Sequence, residues 1–262
     1  MRIAVGLEYD GASFHGWQTQ ADGTGVQDAL ERALSRIADT PLSTVAAGRT
    51  DAGVHAAIQV VHFDTDARRA DTAWVRGVNA LLPSSVAVRW GLGMPADFHA
   101  RFAATGRHYT YLLLDRPVRP ALLAGRVGWY HRPLALDLMR TAADALLGRH
   151  DFSAFRAAEC QAKSATRMLD RLDIAREDEM IRFDFHADAF LQHMVRNIVG
   201  TLLAVGRGEA GTERAREQLE SRQRSTGEAT AAAHGLYFWN VEYPPQFGLP
   251  DDSGMIDFYP LY

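Results

Sequence analysis

Apolar residues recur at every second position in several separate runs, and this constrains the fold more than any other feature of the chain. In "RIAVGLEY", Ile3, Val5, Leu7 and Tyr9 alternate with Arg2, Ala4, Gly6 and Glu8, the signature of a strand with one buried face. Ile181, Phe183 and Phe185 alternate with Arg182, Asp184 and His186 in the same way. Between such runs the period changes: Val26, Leu30, Leu34 and Ile37 follow helical spacing that ends before Pro41. One-sided strands close together in sequence favour antiparallel pairing, and helices that share their apolar faces with such sheets give an α+β architecture.

Taken in order, the segments fall into two groups. "STVAA", "IQVVHFDTD" and "VAVRW" read as further strands, and "RADTAWVRGVNALL" as a helix stopped by Pro83. They complete a first α+β domain over residues 1–104. A second domain over 105–245 holds the strand "HYTYLLL", the helix "LALDLMRTAADALLG" and a hairpin of "LDRLDIARED" with "MIRFDFHAD". It continues through the apolar helix "FLQHMVRNIVGTLLAVG", the amphipathic "TERAREQLES" and a closing strand "GLYFWNVEYP". Residues 246–262 read as an irregular tail. A chain of 262 residues is long enough for two modest cores.

Cysteine and charge narrow the setting. Cys160 is the only cysteine, so no intramolecular disulfide forms, and no Cys/His spacing suggests structural zinc. No run reaches the roughly 18 apolar residues that cross a bilayer, and the amino terminus lacks a secretory pattern. A cytoplasmic protein without a membrane partner is expected. The net charge of −4 argues against a uniformly basic nucleic-acid binder. Lys163 is the only lysine, so almost all positive charge sits on arginine, which binds phosphate bidentately and stacks on bases.

The candidate chemistry lies in residues 46–55, "AAGRTDAGVH", where Arg49 and Asp51 stand in a loop stripped of bulk. Gly48 and Gly53 open an unusual backbone path there. Asp51 either caps a turn or supplies a carboxylate for catalysis. Asp51, His55 and His62 form a D-x3-H-x6-H run, but that spacing matches no helix-borne pair of metal ligands. His186 and His193 fall on different elements, and Cys160 has no activating neighbour. Arg196 lies on an otherwise apolar helix, where a buried arginine requires a partner. Tyr109 and Tyr111 share one strand face, available for packing or for stacking.

"AAGRTDAGVHA", "VNALLP", "FHARFAATGRHYTYLL", "FHADAFLQHMVRNIVGTLL" and "GLYFWNVEYP" together resemble, in order and spacing, the bacterial tRNA pseudouridine synthase A family. The resemblance covers nearly the whole chain. It implies the pseudouridine synthase fold: two α/β-sandwich-like domains with largely antiparallel sheets meeting along a central cleft. It also implies a homodimeric isomerase that converts uridine to pseudouridine in the anticodon stem-loop of tRNA, with no cofactor and no metal. By the same resemblance Asp51 is the catalytic carboxylate and Arg196 its cationic partner. Tyr109 stacks on the uracil and relays a proton, Arg49 enters the space left by the flipped nucleotide, and Leu236 lies beneath the base. Arg101, Arg107 and Arg167 are further candidates for RNA contact. The rivals are an RNA-binding module with an incidental Asp51 and a metal hydrolase built on the histidine run.

Overall fold

A computed structural model describes residues 1–224 and 227–250. By packing, the chain divides into two compact units, Met1–Thr105 joined by the chain from Phe238 on, and Gly106–Tyr237. The expected second domain ran to residue 245, whereas residues 238–250 pack with the first unit, and residues 251–262 of the expected tail lie outside the described residues. A strand joins the sheet where its edge bonds and apolar face are satisfied, and chain order does not decide that.

In the first unit β1 (Arg2–Tyr9) pairs antiparallel with β3 (His55–Asp64) and with β4 (Val86–Met94). The two-residue β2 (Val45–Ala46) pairs with β3, and β10 (Leu236–Glu242) lies on the other edge of β3. The alternation read in β1 is real, with Ile3, Val5, Leu7 and Tyr9 all buried, but its small partners Ala4 and Gly6 are buried too. Gly6 is required there, because a Cβ would stand 2.2 Å from the Trp90 ring. Helix α1 (Val26–Ala38) buries Val26, Leu30 and Leu34 as its spacing predicts. Its amino end is closed by the Asp28 carboxylate, which accepts the Gly25 N–H at 2.9 Å. The expected helix before Pro83 contains a π-helical turn over Ala73–Gly77.

The second unit is built on β5 (Gly106–Asp115), β9 (Met180–Ala187), β8 (Thr166–Glu177) and β7 (Gly148–Asp151), antiparallel in that order. The three-residue β6 (Gly128–Tyr130) pairs parallel to β5. Helices α2 (Leu136–Asp144), α3 (Met194–Gly206) and α4 (Arg214–Ser221) complete it. In α3 only Arg196 and Leu203 escape full burial. A helix apolar all round is one covered on all sides. Among the described residues no helix is long and apolar enough to cross a membrane.

Candidate functional site

Asp51 sits in a loop whose backbone is tied on both sides. Val54 N–H donates to Asp51 O at 3.1 Å, closing a tight turn in which Gly53 takes a φ of +77°. Trp17 N–H reaches Thr50 O at 3.0 Å, and the Thr50 hydroxyl lies 2.8 Å from the Tyr9 hydroxyl. Gln59, fully buried on β3, clamps Gly48 by donating to its carbonyl at 2.6 Å and accepting its N–H at 3.4 Å. Burial pushes the Tyr9 phenol up, so it stays protonated and holds Thr50 as a neutral partner.

The segment beneath the loop approaches too closely for side chains. A Cβ on Gly11 would lie 1.9 Å from Val54 O, and one on Gly16, where φ is +92°, would lie 2.8 Å from Thr50 O. "YDGASFHGW" therefore works as a bed for "GRTDAGVH", a role invisible in either stretch alone. Thr50 is buried while Arg49 is exposed and Asp51 half-buried. The two charged side chains accordingly leave on the side of the chain opposite Thr50, as expected for positions two apart in an extended segment.

The two histidines of the run each hold a backbone amide. His55 Nδ1 accepts Gly11 N–H at 3.0 Å and His62 Nδ1 accepts Ala100 N–H at 3.1 Å. The same His55 Nδ1 lies 3.1 Å from an Asp10 carboxylate oxygen. Burial lowers the His62 pKa to about 4, with the Arg2 charge adding to the effect, so the ring is neutral at pH 7.

In the second unit Arg196 is held by the chain that crosses α3. Its Nε donates to Ala231 O at 2.9 Å, while Arg196 O accepts Ala231 N–H at 3.1 Å. A Cβ on Gly200 would stand 2.0 Å from Ala229 O, so the crossing lies directly on the helix. Asn197, the next residue, accepts the Thr230 hydroxyl at 2.7 Å and donates to Phe155 O at 2.7 Å. The guanidinium is therefore oriented, and is not loose on a wet helix face.

Tyr111 is fully buried and packs edge-on to Phe183. Burial pushes its phenol up, and the Arg196 charge opposes that rise. Gly235 lies against the same ring, since a Cβ there would meet Tyr111 Cζ at 2.6 Å. His234, just before it, has a pKa lowered by burial and then by Arg196. Leu236 follows, 5% exposed. Tyr109, 8% exposed, packs edge-on to Phe190 at 4.9 Å. The second unit thus sets Tyr111 and His234 within electrostatic reach of Arg196. His234 was missed in the sequence, although "AHGLYF" sets it two residues before Leu236.

The further arginines separate. Arg107 is buried and donates to Asp188 O at 2.7 Å, and Arg167 donates to Ser164 O and Thr166 O. Arg101 is exposed with its guanidinium 5.8 Å over the Phe102 ring.

A sequence profile described as tRNA pseudouridine synthase matches residues 7–103 and 142–244, most of both units. The chain belongs to the tRNA pseudouridine synthase family. A protein of Chromobacterium violaceum named tRNA pseudouridine synthase A is 59% identical over 251 residues, covering 95% of this chain and 96% of that one. Proteins of the same name from Dechloromonas aromatica and Burkholderia thailandensis are 54% and 56% identical, covering 97% and 95% of this chain and 97% and 93% of theirs. The mixed α+β fold with largely antiparallel strands is the one this pseudouridine synthase family implies.

Proposed function

We propose that the protein isomerises uridine to pseudouridine in the anticodon stem-loop of tRNA, with Asp51 as the catalytic carboxylate. The reaction breaks the N1–C1′ bond, turns the uracil and joins C5 to C1′ while the C5 proton leaves. Reactant and product have the same atoms and oxidation level, so the balance calls for no redox partner. A carboxylate serves either by attacking C1′ or by stabilising positive charge there as the base departs.

The observation that carries the reading is the wiring of Asp51: its turn is bonded through Val54 N–H, and Thr50 beside it is bonded to Trp17 and Tyr9. A catalytic group held this way loses little entropy on reaching the reactive geometry. The reading gives Arg196 the task of keeping the carboxylate ionised, Tyr109 stacking and proton transfer, Arg49 the space of the flipped nucleotide, and Leu236 the floor under the base. It also includes a homodimer and action in the cytoplasm, where the tRNA substrate resides.

Release of tritium from C5-labelled uridine in tRNA tests it. Asp51→Asn should lower that release at least about 1000-fold while tRNA binding stays within about tenfold, because the volume is kept and the carboxylate lost. Substantial release by the variant would remove Asp51 from the chemistry and favour the reading as a binding module.

A further inference from the structure

Between Arg116 and Leu136 the chain carries Arg116, Arg119, Arg126 and Arg132 and not one Asp or Glu. In a protein of net charge −4 that is a strong local departure. The stretch also carries large exposed apolar residues: Leu122 is 91% exposed, Val118 70% and Trp129 41%.

The stretch is held at several points, with Pro120, Val127 and Gly128 buried, Gly128–Tyr130 paired to β5 and Arg126 O accepting the Tyr237 hydroxyl at 2.6 Å, while residues 117–119 and 121–122 stay exposed. Arg116 N–H donates to Tyr130 O at 3.1 Å, and the Trp129 indole N–H donates to Arg116 O at 2.9 Å. These bonds fix the Trp129 ring on the surface beside His131, 6.0 Å between ring centres. The Arg207 guanidinium lies 5.7 Å over the Tyr130 ring. Arg116 is already paired with Glu179 at 3.3 Å, and Arg207 with Glu209. Arg119 and Arg132, both exposed, have no ion pair or hydrogen bond among the described residues.

We infer that the surface of residues 116–133 is a docking site for the tRNA backbone, with Arg119 and Arg132 on phosphates and Trp129 stacking on an unpaired base. This rests on the proposed tRNA substrate and adds a place on the protein where the RNA is held. Exposed arginines such as Arg119 and Arg132, with no ion pair among the described residues, answer a polyanion, and an immobilised aromatic ring beside them answers a base. The same composition disfavours a second copy of this chain as occupant. A two-fold contact through this patch would turn Arg119 and Arg132 toward their own copies, and the carboxylates beside the patch, Glu179 and Glu209, are already engaged by Arg116 and Arg207.

The test is binding of an unmodified tRNA transcript by the full-length protein over a range of salt. The double variant Arg119→Gln/Arg132→Gln should lose about tenfold or more in affinity near 0.1 M salt, and the slope of log K against log salt should fall by about 1.5 to 2. Trp129→Ala should weaken binding with the slope kept, and Trp129→Phe should restore most of it. Arg216→Gln, on the exposed face of α4, should leave both quantities at the parent value. Slope and affinity unchanged in the double variant would overturn the assignment. So would a shift of oligomeric state in sedimentation with tRNA binding intact, which would give the patch to a second copy. Isomerisation is read separately, so a parent that binds tRNA without isomerising it, with the slope lowered in the double variant, supports the surface and removes only the functional reading.

Discussion

The octet loop around Asp51 and the basic loop of residues 116–133 both present charge, and they are built in opposite ways. In the first, two charged side chains stand on a backbone fixed by Trp17, Gln59, Phe14 and Val54, over glycines that leave no room for a Cβ. In the second, arginines and large apolar residues stand in solvent on a chain held by a few backbone contacts, among them the Arg116 and Tyr130 bond, the β6 pairing and the Tyr237 bond to Arg126 O. On the proposed reading, the difference follows from what each charge does: a carboxylate acting on one bond has to be aimed, whereas a guanidinium meeting a phosphate by long-range attraction needs only to be near.

Three changes test that contrast, beginning with the largest expected effect. Gly11→Ala should be severe, because the new Cβ would meet backbone, 1.9 Å from Val54 O, and no side chain can swing aside. We expect a loss of about 2–4 kcal/mol in stability together with most of the activity, read by urea unfolding and tritium release. A parent-like unfolding midpoint with full activity would show that the octet loop is not held from beneath.

The scaffold under the octet should also set acid tolerance. His62, on the same strand as Gln59, has a folded pKa of about 4 against an ordinary value of 6.5. Between those values the unfolded chain binds the extra proton, so stability falls as pH drops from about 6.5 toward 4. The loss by pH 5 should be about 1–2 kcal/mol, with allowance for screening. Urea midpoints at pH 7 and pH 5 measure it, and His62→Gln should shrink the difference. An undiminished difference would place the acid sensitivity elsewhere.

The smallest effect belongs to the basic loop. Leu122→Ser changes a side chain 91% exposed, and stability should stay within about 0.5 kcal/mol of the parent. A larger loss in urea unfolding would mean that Leu122 is covered in solution, and the loop would no longer be the loosely tethered member of the pair.

Much of this was legible in the sequence where local pattern and burial agree. β1, α1 and β9 follow their periodicities, and the octet marks its own loop by composition. Short elements were not legible: β6 has three residues and β7 four, too few to show a period. The π-helical turn at Ala73–Gly77 lies inside an ordinary helical pattern. His234 and the Ala231 carbonyl were missed because they reach Arg196 from 35 residues or more along the chain.

By itself the sequence determined the α+β class, the antiparallel hairpins and the stretch that carries Asp51. These depend on which side chains are apolar at period two or near four, and on glycines that permit a path, all properties of neighbours along the chain. Only the tertiary structure decided that the chain from Phe238 packs with the first unit, that Gly11 and Gly16 bed the octet, and that Ala231 orients Arg196. Each of those depends on backbone groups with no side-chain signature meeting across a fold, where close packing and the need to satisfy every buried polar group select the partner.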